Sequence, residues 1–349
     1  MHKQVLAACL ALLGSSSAAL AASCSLPDVA AQVHLKQVAG SNLVTVPVVI
    51  NRTPKQFLLD IGTRPTIVSQ AAVAELGLPE NRKLTVPLPF VPIPLGGVQT
   101  SQTNVPLYDV KGSRSLEAMR TRVRIGSFTI GEATGKGLIF TVARDGEIGK
   151  SAPYDGRMTN DFFKQYDVEM DFGRMQITWL TPTGCTDPDQ VAFWSNGGVA
   201  VLPMQLADGK IQVPVIIEGK SLTAVLDTSS EHTVMRRDVA ELVLGLKANT
   251  PDMMPREGLK DGMGQPIYGH TFSKIAFTGA PGGVTAANVP VQIQTNSMIA
   301  DQDVVLGSRA SSAEARIPDL VLGMDVLHQL HLYAVFGQKR LYITQVFFS

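Results

Sequence analysis

The sequence predicts a mostly β protein built as two tandem lobes related by a pseudo-twofold axis, with a few short helices. Three observations carry this. Val, Ile, Thr, Gly and Pro are frequent and aromatics are scarce at 6%, a composition that favours short strands and many turns over long helices. A stretch then occurs twice. "VPVVINRTPKQFLLDIGTRPTIV", Val46 to Val68, aligns without a gap on "VPVIIEGKSLTAVLDTSSEHTVM", Val213 to Met235. Asp60 and Asp227 fall at the same offset, 14 residues after Val46 and Val213. A second stretch also repeats. "DFFKQYDVEMDFGRMQITWL" from Asp161 matches "DVLHQLHLYAVFGQKRLYIT" from Asp325, with Gln165 on Gln329 and Phe172-Gly173 on Phe336-Gly337. Both ends of a unit repeat while its middle differs, the signature of an internal duplication.

Each element follows from local pattern. Val44 to Ile50 and Lys55 to Leu59 read as a hairpin about Asn51-Arg52-Thr53, and Ile211 to Ile217 with Ser221 to Leu226 as its copy about Glu218-Gly219. Ser69 is placed to cap a short helix through Leu76. Residues 121–131 and 273–279 read as further strands, and "MTNDFFKQY" and "GMDVLHQL" as short helices. "VEMDFGRMQITWL" and "LYAVFGQKRLYIT" read as closing hairpins with glycine at the turn.

The chain has 349 residues and 45% hydrophobic content, enough for two cores. We divide it into a leader over 1–21, lobes over 38–182 and 198–349, and a linker over 183–197. Formal net charge is +0 with no basic block, which argues against nucleic acid as partner. His2 and Lys3, the apolar run Val5 to Leu13 and Ala19-Leu20-Ala21 read as an export signal with its cleavage site. No stretch reaches the roughly 18 apolar residues of a membrane span. The expected product is exported, periplasmic or secreted. Cys9 leaves with the leader, and Cys24 and Cys185 form an even pair in an oxidising compartment, so a disulfide between them is expected. Lipidation of Cys24 is the alternative, although Ala21 stands where a large aliphatic residue is usual. An unpaired buried thiol is the third.

A strand that runs into a carboxylate in each of two equivalent units points to paired-acid chemistry. Asp60 and Asp227 at a common axis cannot both ionise cheaply, so they share a proton and serve as acid and base at one pH. Such a pair activates a water without metal or nucleophilic side chain. Asp60-Ile61-Gly62-Thr63-x-x-Thr66-Ile67-Val68 resembles the Asp-Thr-Gly-Ala/Ser-x-x-Thr-Val-Leu signature of retropepsin-like aspartic proteases, and Asp227-Thr228-Ser229-Ser230-x-x-Thr233-Val234-Met235 resembles it again. Leu320-Val321-Leu322-Gly323 is similar to the family's second motif. The resemblance implies two acid-protease-like β-barrel lobes facing each other as in pepsin-like enzymes. It implies an aspartic endopeptidase acting on peptide or protein substrates, without cofactor or metal, as a monomer that is a pseudo-dimer within one chain. Asp60 and Asp227 would be the catalytic dyad, with loop support from Gly62, Thr63, Thr228, Ser230 and Gly323. Hydroxyls at Thr63 and Ser230 would donate to the carboxylates and bias activity to acid. Hairpin flaps would place Gly96, Gly97 and Gly264 at their tips, with Tyr268 against substrate.

Three positions depart from the signature. Ile61 replaces the hydroxyl residue that ties the two loops together, Ser229 replaces glycine, and Thr159 stands where the first closing motif should have glycine. These leave open a catalytically impaired scaffold that binds peptides by strand addition, or a structural envelope protein. Asp167, Glu169 and Asp171 alternate on one strand face and read as a solvated face. His328 and His331 read as surface or packing residues, since no third metal ligand lies near them in sequence.

Overall fold

The computed structural model describes residues 27–62, 65–81, 120–162, 166–182, 185, 188–192, 194–195, 198–207, 210–262, 264–277, 283–295 and 318–346, with the side chains of Asp161, Pro188 and Asp189 excepted. The expected leader, Cys24, Thr63, Gly96 and Gly97 lie outside these.

Strands dominate. The first half contains β1 (Val29–His34), β2 (Lys36–Gln37), β3 (Val44–Ile50), β4 (Thr53–Asp60), β5 (Ile67–Val68), β6 (Glu80–Asn81), β7 (Arg122–Ile130), β8 (Ala133–Val142), β9 (Gly156–Thr159), β10 (Asp167–Asp171) and β11 (Gln176–Leu180). The second contains β12 (Ala200–Pro203), β13 (Gln205–Ala207), β14 (Lys210–Ile217), β15 (Lys220–Leu226), β16 (Thr233–Arg236), β17 (Met254–Lys260), β18 (Pro266–Ala276), β19 (Thr285–Gln294), β20 (Leu320–Leu322), β21 (Leu330–Val335) and β22 (Arg340–Gln345).

The two halves share one topology. The first sheet runs β2-β3-β4-β9-β5-β8-β7-β6 and the second β13-β14-β15-β20-β16-β19-β18-β17. An extra pairing, β3 with β7 and β14 with β18, closes six strands of each into a barrel. Closure removes the barrel's free edges, which would otherwise template aggregation. The fold is therefore mostly β, two barrel lobes with short helices, as the sequence predicts.

Local chemistry sets the turns. Asn51 and Arg52 have φ of 49° and 73°, and Glu218 and Gly219 have 49° and 74°. Two consecutive left-handed residues make the primed turn whose twist suits a two-residue hairpin. The closing hairpins, β10–β11 and β21–β22, have Gly173 and Gly337 in their turns as expected, and the left-handed residues there are Met175 and Lys339. Gly173 serves a different purpose: a methyl on it would sit 2.1 Å from Val346 Cγ1, so that side chain fills its space. Ser69 caps the helix Gln70–Glu75, its hydroxyl accepting from the Ala72 amide at 3.1 Å. That bond satisfies a first-turn amide that has no partner within the helix. Among the described residues "MTNDFFKQY" contains a turn of 3-10 helix over Asn160–Phe162, and "GMDVLHQL" a helix over Met324–Leu327.

A third sheet joins the lobes, in the order β1-β11-β10-β21-β22-β12, three strands from each half. The central pairing is antiparallel, with Val168 opposite Ala334, Glu169 opposite Tyr333, Met170 opposite Leu332 and Asp171 opposite His331. Glu169 and Tyr333 are equivalent in the repeat, so the pseudo-twofold axis passes between them. One face of this seam is polar but not solvated, contrary to the sequence reading. Asp167 and Asp171 are buried, and buried His331 takes Glu169 as a partner at 2.9 Å while stacking on Trp194 at 4.5 Å. The helix Pro188–Val191 and Cys185 pack beneath, in a small cluster with Val199, Tyr333, Val335 and Tyr342. Among the described residues no helix is long and apolar enough to cross a membrane.

The first barrel is centred on Phe128, fully buried, with ring centroids of Phe57, Phe140 and Phe162 at 6.0, 5.0 and 5.3 Å. Phe128→Ala removes the hub of that cluster and should cost about 3–5 kcal/mol. Urea unfolding should show it as a lower midpoint at unchanged slope.

Candidate active site

The site begins with two apolar strands that end in acid. β4 buries Phe57, Leu58 and Leu59 before Asp60, and lies between β3 and β9, with Asp60 opposite Thr159. β15 buries Ala224, Val225 and Leu226 before Asp227 and lies between β14 and β20. Each carboxylate turns back on its own loop. The Gly62 amide donates to Asp60 Oδ1 at 3.2 Å, and the Ser229 amide donates to Asp227 Oδ1 at 2.9 Å. An Asp side chain that bonds an amide two residues on substitutes for the strand ladder where it stops.

The two loops meet at Gly62. A methyl group there would lie 2.4 Å from Asp227 Cγ and 2.6 Å from its Oδ1. Only glycine lets the first loop pass so near the second carboxylate. Gly62 thus lies against the Asp227 carboxyl while its amide bonds Asp60. Thr228, fully buried, reaches across in the other direction. Its hydroxyl donates to the Leu59 carbonyl at 2.7 Å and accepts from the Ile61 amide at 3.1 Å. Ile61 returns no such bond, since its side chain is apolar and packed in the first core. The tie between the lobes is one-sided.

The closing motifs support these loops from behind. In the second lobe the Gly323 amide donates to Thr233 Oγ1 at 3.1 Å, and Thr233 donates to Asp325 at 2.6 Å. A methyl on Gly323 would come within 2.5 Å of the His232 backbone, so glycine is required. In the first lobe Thr159 keeps the same bond, its amide donating to Thr66 Oγ1 at 3.1 Å. The glycine-to-threonine departure therefore preserves the backbone contact, and adds one between the Thr66 and Thr159 hydroxyls at 3.2 Å.

Two expectations need correction. Ser230 does not serve Asp227: its hydroxyl donates to the His232 carbonyl at 2.8 Å. The hydroxyl that reaches Asp227 is Ser229, at 2.7 Å from Oδ1. The chain turns so that residue 229, whose amide already faces the carboxylate, also directs its side chain there. Tyr268 is buried under Arg237, whose guanidinium lies 4.9 Å from the ring centroid, so it is not offered to a ligand. The hairpin itself is present. β17 is exposed along its length, and Gly264, at φ 76°, turns it into β18.

Sequence reasoning missed two residues. Arg157 Nη1 lies 3.7 Å from Asp60 Oδ2, and its other arm donates to the Glu147 carbonyl at 2.9 Å. Its positive charge offsets part of the repulsion between the paired acids. Asn160 donates its amide to the Ile61 carbonyl and fixes the first loop. The signal lay in the repeat alignment, where Arg157 stands against Val321. A charge at an apolar motif position marked the first lobe as altered.

Thr228→Val should cost about 1–3 kcal/mol, because the buried Leu59 carbonyl and Ile61 amide lose their side-chain partner. Thr228→Ser should recover most of it. Urea midpoints of the three proteins compare the costs directly.

No model of a known protein family matches the chain. No curated protein matches it either. Among solved structures it is similar to conglutin gamma, a basic 7S globulin from lupine seeds, at 11% identity and TM-score 0.45, over 91% of this chain and 95% of that one. It is also similar to basic 7S globulin from soybean, at 12% identity and TM-score 0.45, over 92% and 96%.

Proposed function

We propose that the protein is an exported aspartic-type endopeptidase in which Asp60 and Asp227 hold and activate a water between the lobes. The observation that carries this reading is the position of Gly62, bonded to Asp60 and in contact with Asp227. In this reading one carboxylate draws a proton from the water while the other donates one to the peptide carbonyl. A peptide in extended form suits strand addition along β17, the exposed edge strand of the second sheet. We also propose a disulfide from Cys24 to Cys185. Its support is that buried Cys185 lines one small cavity together with Pro27, three residues after Cys24.

A second reading rests on Asp60 itself. It is fully buried with Arg157 beside it. An acid held this way serves as an internal ion-pair partner, and the cleft then binds peptide without cleaving it.

Cleavage of a peptide library between about pH 3 and 7 separates the two, that being the range in which such dyads titrate. The unmodified protein should cleave, and Asp60→Asn and Asp227→Asn should each lower kcat at least about 100-fold. Turnover that survives either substitution rejects the mechanism, and tight binding without turnover selects the second reading. Iodoacetamide under denaturing, non-reducing conditions should leave the mature protein unalkylated. Alkylation at Cys185 would reject the disulfide.

A further inference from the structure

We propose that the seam between the lobes is proton-linked: Asp167 binds a proton when the two lobes pack, so their joint strengthens as the medium becomes more acidic. Asp167 opens β10, the first-lobe strand of the central pairing, and is 1% exposed. The Tyr333 hydroxyl from β21 and the Phe336 amide donate to its carboxyl. Oδ1 has no hydrogen-bond partner among the described residues. The acid faces a small cavity whose other walls are Pro27, Cys185, Gln190, Val191, Tyr333, Val335 and Gln338. Among the described residues that wall carries no lysine, arginine or histidine. Among the described residues, the titratable groups near Asp167 are Tyr333, with Glu169 and Tyr342 also close to Tyr333, and none of these brings positive charge. His331 lies further along the strand, between Glu169 and Asp171.

A buried carboxylate with one bare oxygen and no cation is costly when charged and cheap when protonated. Burial raises the Asp167 carboxyl to about 6, against the two donated bonds that pull it down. The sign follows. The folded value lies above the unfolded 3.8, so the stabilisation is complete below about pH 4 and is lost as pH rises through 6. Because Tyr333 belongs to the second lobe, separating the lobes removes its hydroxyl from Asp167 and opens the cavity to water. The linkage is independent of any chemistry at Asp60 and Asp227.

Asp167→Asn is the neutral isostere and holds the protonated condition at every pH. Urea unfolding of wild type and variant between pH 3.5 and 8 measures the ratio of their folding constants, in which all other titrations cancel. The ratio should rise roughly 100-fold in favour of the variant between about pH 4 and 7 and then level off, the size set by a shift of about two pH units. A ratio that stays flat overturns the proposal. Should the variant fail to fold, the Asp167 carboxyl carbon followed by NMR in the unmodified protein decides it. A midpoint near 6 is expected, moving upward in Tyr333→Phe, and a midpoint below about 4.5 would overturn the proposal.

Discussion

The antiparallel pairing of β10 with β21 is the contact on which everything else depends. Each barrel can bury its own core, but neither alone brings its acid to the other. The seam sheet sets the axis between Glu169 and Tyr333 and fixes the relative position of the lobes. With that axis given, equivalent strands β4 and β15 must end near one another, and equivalent turns must deliver their carboxylates to a common point. The short distance from Gly62 to Asp227 is the outcome. A register slip of one residue in the seam would exchange its faces and move the loops apart.

Symmetry places the acids, and asymmetry distinguishes them. At the paired acids the second lobe supplies a hydroxyl tie, through Thr228 to Leu59 and Ile61. It also gives Asp227 two donors from one residue, the amide and hydroxyl of Ser229. The first lobe answers with a guanidinium near Asp60 and a carboxamide under Ile61. One carboxylate is thus surrounded by neutral donors, and the other has a cation at its side and is shut from solvent. Two acids alike in sequence context occupy unlike surroundings, and a division of roles between them needs that difference.

Much of this was legible in the sequence because duplication writes everything twice. The two barrels, their hairpins, the helix cap at Ser69 and the placement of Asp60 and Asp227 follow from aligned strands and turn residues. What escaped were side-chain directions within three-residue loops. Ser229 and Ser230 are adjacent and chemically identical, and only the turn after Asp227 decides which hydroxyl meets the carboxylate. The polar face of Asp167, Glu169 and Asp171 was misread for a related reason. Period-two alternation assigns residues to a face but does not say whether that face meets water or another lobe. Tyr268 fell to the same limit, since nothing in its neighbourhood announces that Arg237 covers it.

The charges along the seam have an implication for assembly. A strand pair centred on an equivalent residue is by geometry self-complementary, so β10 of one chain has the shape to meet β10 of a neighbouring copy. In that homotypic arrangement Glu169 would face Glu169, and Asp167 would face Asp171. Opposed like charges across a ladder are unfavourable, whereas the native partner offers His331 and Tyr333 at those places. Divergence of the two repeats has made the first half a poor match for itself and a good match for its sibling. Chains emerging side by side during synthesis are thereby steered away from pairing first half with first half.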